Sequence, residues 1–253
     1  FFMSYISSFC DSLLHQKKYS LHTVTAYKKD LTQFSEFVEE DFDIQDINFV
    51  NSSIVRSWIV HLLENNISTR TINRKISSLK SFYKYLLKNG VIENNPLLKV
   101  ITPKISKRLP EFVGEIEMEK LFSMDHFSPD FEGIRDLLIL ELLYGAGIRL
   151  SELVGLTVRS VDFNNRTLKV VGKRNKERLI PYGNRLESIL KHYIRLRNEF
   201  SNNTTSLLLT KKGENIYPKL IYRVVNTYLG KITTASKKSP QVLRHTFATH
   251  MLN

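Results

Sequence analysis

The chain has 253 residues, 42% of them hydrophobic and 25% charged, which suits a soluble globular protein of one large or two modest domains. Its 37 Lys and Arg stand against 25 Asp and Glu, a formal net charge of +12, and a field of that sign favours polyanions. The longest apolar runs, such as "LLILELLY" with its Glu141, are too short to span a bilayer. "FFMSYISSFCDSLL" has no basic stretch ahead of an apolar core, so neither a membrane protein nor a secretion signal is expected. The single cysteine, Cys10, excludes an internal disulfide and cannot build a metal site alone. A cytoplasmic protein whose partner is nucleic acid is the reading these numbers favour.

In chain order, "YSLHTVTAYKKDLTQFSEFVEE" is an amphipathic helix with Ser20 as its cap and Val24, Tyr27, Leu31, Phe34 and Phe37 toward a core. A second helical pattern runs through "NSSIVRSWIVHLLENN". A third, "STRTINRKISSLKSFYKYLLKNG", starts at a capping Ser68 and ends at Gly90 in a left-handed C-cap. Ile72, Ile76, Leu79, Phe82, Tyr83 and Leu86 form its buried stripe.

Charge concentrates here. Asn66–Arg108 holds ten basic residues (Arg70, Arg74, Lys75, Lys80, Lys84, Lys88, Lys99, Lys104, Lys107 and Arg108) against one acid, Glu93. A merely solvated face mixes both signs. The near absence of acids therefore predicts a phosphate-contacting face, with Arg70, Arg74, Lys75, Lys80, Lys84, Lys88, Lys104 and Lys107 as DNA-binding candidates. Short helices without strand alternation predict an all-α domain over residues 1–98. "NNPLLKVITPKISKRLP", broken by Pro96, Pro103 and Pro110, predicts a basic linker over 99–112 that can lie along a phosphate backbone.

From residue 113 the pattern changes. Ile116–Leu156 is mainly helical, and "EGIRDLLILELLYGAGIRLSELVGL" is apolar on nearly all sides, as a central core helix is. "TLKVVGKRNKERLIPY" predicts a β-hairpin whose strands hold Leu168–Val171 and Leu179–Tyr182 around a basic turn. Helical patterns resume at "RLESILKHYIRLRNEF", "PKLIYRVVNTYLGKI" and "SPQVLRHTFATHMLN". The expected fold is mainly α. A small all-α domain precedes a mostly α domain, over 113–253, with a small antiparallel β-sheet.

Three cations stand out by context. Arg149 follows "YGAGI", where Gly145 and Gly147 permit a tight turn, and Ser151–Glu152 can cap a new helix and hold its guanidinium. Lys173 sits at the hairpin tip, and Arg244 lies in the last helix beside Val242, Leu243 and Phe247. Singly, each also reads as a structural or solvated residue.

Together, "LLYGAGIRLSELVGL", "VVGKRNKERLIPYG" and "SPQVLRHTFATHMLN" resemble the catalytic boxes of the tyrosine recombinases, the phage-integrase family, and most of all its Xer-type chromosome-dimer branch. "STRTINRKISSLKSFYKYLLKNGVIENNP" resembles that family's SAM-like core-binding domain. The resemblance covers nearly the whole chain from about Tyr5. It implies a site-specific recombinase that breaks and rejoins DNA through a 3′-phosphotyrosyl intermediate, without ATP, metal or other cofactor, as a tetramer on paired duplex sites. It implies that Arg149 and Arg244 clamp the reacting phosphate and that Lys173 protonates the leaving 5′-oxygen. Two departures follow from the same resemblance. Gln241 stands where the family has histidine. The nucleophilic tyrosine is expected downstream of Asn253, because none of the eleven tyrosines follows Arg244, so a fragment inactive by itself is the expectation. His245 and His250 read as packing residues. A type IB topoisomerase shares the chemistry, but the small helical domain and short basic linker fit a recombinase better. Gln241 and the missing tyrosine leave a non-catalytic DNA-binding relative as the other alternative.

Overall fold

The computed structural model describes residues 2–105, 112–123, 126–172, 175–200 and 204–252. The chain divides into two compact units, Phe1–Lys107 and Arg108–Asn253.

In the first unit α1 (Phe2–Asp11), which the sequence patterns above do not single out, leads through a π-turn to α2 (Leu21–Phe42). Ser20 caps α2 by accepting from the Thr23 N–H at 3.3 Å. Asn51 caps α3 (Ser52–Glu64) and accepts from the N–H groups of Ser53 and Ile54. α4 (Thr69–Lys88) starts at Ser68, which accepts from Thr71 N–H, and stops where Gly90 turns into the left-handed region at φ +67°. The six apolar residues of the α4 stripe are all fully buried. They pack with Ile6, Phe9, Phe34 and Trp58 into one core, where Phe34 meets Trp58 edge-on at 5.0 Å.

The segment after Pro96 is less free than a linker over 99–112 would be. Leu97 and Val100 are buried in the first core, and the Asn73 side-chain amide donates to the Pro103 carbonyl at 2.9 Å. Two apolar anchors in the first core and one hydrogen bond to α4 thus hold this stretch, up to Pro103, on the first unit.

The second unit is built around α6 (Phe131–Tyr144), capped by Asp130 and buried on almost every side. α5 (Glu115–Leu121) precedes it, and α7 (Leu150–Val154) follows after a turn. A three-stranded antiparallel sheet comes next, in the order β1–β2–β3. β2 (Thr167–Val171) and β3 (Glu177–Pro181) are the hairpin the sequence predicts, in a register that sets Val171 opposite Glu177. β1 (Val161–Asp162) is a two-residue edge strand, too short to leave an alternation in the sequence. α8 (Asn184–Phe200), α9 (Pro218–Ile232) and α10 (Pro240–His250) complete the unit, with α8 and α10 both packing on α6. Among the described residues, no helix is long and apolar enough to cross a membrane.

Candidate functional site

Arg149 is the N-cap residue of α7. The helix begins there because Glu152, three residues on, reaches back: its carboxylate accepts from the Arg149 backbone N–H and from the Arg149 guanidinium, each at 2.8 Å. Glu152 is 2% exposed while the Arg149 side chain is 53% exposed, so a buried anion holds a guanidinium whose outer edge faces solvent. Arg178 of β3 closes on the same carboxylate with both terminal nitrogens, at 2.7 and 2.8 Å. Burial alone would raise the Glu152 pKa. The hydrogen bonds from Arg178 and Arg149 outweigh that and bring it down to about 2.

Arg244, half-buried on α10, donates to the carbonyl of Gly147. That carbonyl is available because Gly147 adopts φ +57°, which favours glycine, and because the Phe247 ring lies against its Cα. A Cβ on Gly147 would sit 2.4 Å from the ring, so glycine is what lets α10 come close. Thr246, fully buried, accepts from the Val113 N–H at 3.0 Å and pins the same helix to the start of the unit. Burial, and then the nearby guanidinium of Arg149, push Arg244 below the usual arginine range; Glu152 opposes them and Arg178 adds to them. An arginine so shifted still keeps its proton.

Gln241 is exposed on the first turn of α10, three residues before Arg244 and so on the same face. His245 is exposed. His250 lies 2.9 Å from the Tyr144 hydroxyl through Nδ1 and packs edge-on against Tyr144 and Phe112, a packing role. Lys173 lies outside the described residues. Its neighbour Gly172 closes the hairpin by donating to the Lys176 carbonyl at 2.7 Å, and a Cβ there would stand 3.3 Å from Glu152 Oε1. Sequence reasoning missed Arg178. Its signal was a charged residue sharing the inward face of β3 with Ile180, where alternation calls for an apolar one.

In the first unit Arg70, Lys80, Lys84, Lys88 and Lys104 are exposed, and Lys107 lies outside the described residues. At 100° per residue, Arg70, Arg74, Lys80, Lys84 and Lys88 fall within about 120° of arc opposite the buried stripe. Arg74 is exposed but also ion-paired with Asp30 of α2. Lys75 corrects the sequence reading. It is buried, its ammonium held by Asp30 at 3.3 Å and by Gln33, over the Trp58 ring at 5.9 Å. One residue along a helix turns a side chain by 100°, enough to carry Lys75 off the basic arc and into the core.

The phage integrase family matches residues 111–253, and its N-terminal SAM-like domain matches residues 6–90. Tyrosine recombinase XerC of Chlorobaculum tepidum is 38% identical, the match covering 98% of this chain and 82% of that protein. The chain belongs to the phage integrase family of tyrosine recombinases. It is a site-specific DNA recombinase, a strand-transferring enzyme. XerC of Listeria innocua is 37% identical over 97% of this chain and 83% of its own length. The fold matches that of XerH recombinase bound to a palindromic difH substrate, with a TM-score of 0.76, 21% identity and coverage of 98% of this chain and 73% of that one. It also matches the Tn1549 transposon integrase in complex with transposon right end DNA, with a TM-score of 0.74, 21% identity and coverage of 98% and 86%.

Proposed function

We propose that this protein cuts and reseals duplex DNA at a specific site through a 3′-phosphotyrosyl intermediate, with Arg149 and Arg244 as the phosphate clamp. The observation that carries this reading is the placing of the two guanidiniums: one fixed by a buried carboxylate at the start of α7, the other by a backbone carbonyl in the turn before it. Among the described residues both keep free nitrogens, and their planar forks suit the non-bridging oxygens of a phosphodiester.

A tyrosine hydroxyl, which the family pattern places after Arg244, attacks phosphorus. The bond to the 5′-oxygen breaks, its electron pair goes to that oxygen, and the Lys173 ammonium supplies a proton. The two arginines stabilise the extra charge of the five-coordinate phosphate. Gln241 donates a hydrogen bond to the phosphate. Unlike imidazole it cannot accept the phenol proton, which passes to water. Rejoining runs the same step backwards from another strand's 5′-hydroxyl. The exposed arc of α4, with Arg70, Arg74, Lys80, Lys84 and Lys88, tracks the DNA backbone, with Lys104 and Lys107 of the basic segment as further phosphate-contacting candidates. The protein acts in the cytoplasm as a tetramer on paired sites.

The test needs a binding site selected from random duplexes and then scanned with neutral methylphosphonate linkages. A clamp of two charge-assisted contacts predicts one linkage per strand where neutralisation weakens binding by about tenfold or more. Arg149→Ala and Arg244→Ala should bind the unmodified duplex more weakly and lose that linkage's effect. Small, uniform penalties along the whole site would overturn the assignment.

A further inference from the structure

We infer that Arg178 is a positioning residue for the phosphate clamp: acting through Glu152, it fixes the guanidinium of Arg149 and ties the root of the β2–β3 hairpin to the start of α7. The inference rests on the clamp reading of Arg149.

Four donors converge on one carboxylate. Glu152 Oε1 accepts from Nη1 of Arg149 and Nη1 of Arg178; Oε2 accepts from the Arg149 backbone N–H and from Nη2 of Arg178. Arg178 commits both terminal nitrogens to this fork, so it has little left to offer a ligand. Arg149 gives Glu152 a single side-chain hydrogen bond and keeps its outer edge in solvent. The two arginines therefore divide the work. A buried carboxylate must be paired to remain ionised. If Arg149 were its sole partner, an incoming phosphate would draw on the same guanidinium and leave Glu152 short of charge. Arg178 is the counter-ion that stays, so the charge of Arg149 is available to the phosphate while Glu152 still aims it.

The same contact reaches the hairpin. Arg178 faces Val170 across the sheet, and Gly172 lies against the Glu152–Arg178 pair, where an added Cβ would stand 3.3 Å from Oε1 and 3.6 Å from Arg178 Nη1. The charged groups facing Glu152 among the described residues are Arg149 on its own helix, Arg178 on β3 and Arg244 on α10. Without Arg178, burial is opposed mainly by Arg149, and the Glu152 pKa rises.

The experiment uses Arg178→Met, Arg178→Lys and the double variant Arg178→Met with Glu152→Gln, each read in two ways. The first readout is the titration of the Glu152 carboxyl by carbon NMR in the free protein. The second is the clamp discrimination, the affinity ratio between phosphate and methylphosphonate at the sensitive linkage, taken from pH 8 down to pH 5. In the parent protein Glu152 should titrate far below the ordinary range and the discrimination should be flat with pH. In Arg178→Met the titration should move up, and the discrimination should fall by about tenfold as pH drops through it. Arg178→Lys should lie between the two, and the double variant should be flat and weak. An Arg178→Met protein with an unmoved Glu152 titration, or with pH-independent discrimination equal to the parent's, overturns the inference and leaves Arg178 a purely structural residue. Absence of any sensitive linkage in the parent refutes the clamp itself, and the Glu152 titration still reports whether Arg178 governs that carboxylate.

Discussion

Gly147→Ala tests whether the turn before Arg149 and the seat of α10 depend on each other. The substitution carries two costs. At φ +57° a side chain meets the penalty of the left-handed region, about 1–2 kcal/mol. The new Cβ also falls 2.4 and 2.5 Å from two Phe247 ring carbons, and relief by moving the ring or the helix costs about 1–3 kcal/mol more. The expected loss is therefore about 2–5 kcal/mol. Gly90→Ala is the control: its φ is +67°, but an added Cβ meets nothing within 4 Å, so only the backbone penalty applies. Urea unfolding followed by far-UV circular dichroism measures both. The single tryptophan, Trp58, is buried in the first unit, so its fluorescence reports that unit's transition. Gly90→Ala should shift the fluorescence transition, whereas Gly147→Ala should shift the dichroism and leave the fluorescence where it was. Because the Gly147 carbonyl holds Arg244, the same variant should also bind duplex more weakly. A Gly147→Ala loss no larger than that of Gly90→Ala would show that Phe247 has slack and refute the coupling.

Lys84→Ala should weaken duplex binding on every sequence and lower the slope of log affinity against log salt by about one, while leaving unfolding unchanged. Lys75→Met should do the reverse, destabilising the first unit by about 1–3 kcal/mol, because Asp30 keeps Arg74 but loses its buried counter-ion and Gln33 loses its donor, and leaving the salt slope alone; equal slopes for the two variants would refute the division between arc and core. The Glu152 pKa, about 2 in the folded state, lies below the ordinary glutamate value, so its contribution of up to roughly 3 kcal/mol is complete above about pH 4.3 and is lost as pH falls toward 2. Acid unfolding of Glu152→Gln should show a shallower fall over that window, and an unchanged acid limb would mean that the carboxylate is not held as described.

The legible parts of this protein were those with a local signature. Ser20, Ser68 and Gly90 mark helix ends through contacts a few residues away, and the α4 stripe and the hairpin alternation repeat with the period of their element. Arg149 and Glu152 were legible for the same reason, since a cap and its acid lie three residues apart. What stayed hidden depends on distant partners. Lys75 and Arg74 are adjacent, yet one is core and the other surface, because Asp30, more than forty residues earlier, draws both while Trp58 and Gln33 shelter only Lys75. Arg178 meets Glu152 across 26 residues of chain, and Thr246 meets Val113 across the whole second unit. No window of sequence contains such a pair. A polar residue on an inward strand face can point to one partner of such a pair but cannot name the other.

The two units handle positive charge by one device. Each buries a carboxylate, Asp30 in the first and Glu152 in the second, and gives it two cations, Lys75 with Arg74 and Arg178 with Arg149. In each pair one cation is the more buried, and the other keeps about half of its side chain in solvent: 49% for Arg74 and 53% for Arg149. One carboxylate against two cations leaves a surplus positive charge, and the more buried cation satisfies the acid, so that surplus lies on the outer guanidinium. A solvated lysine offers the same charge but must give up side-chain freedom when it meets a phosphate. A guanidinium already fixed by its acid has given up much of that freedom on folding, which is what preorganisation of an electrostatic site requires. The cost is a buried ion cluster, tolerable because most of its hydrogen bonds are made. Among the described residues the exposed lysines of α4 have no such support, so each still has its side-chain freedom to lose on meeting an anion.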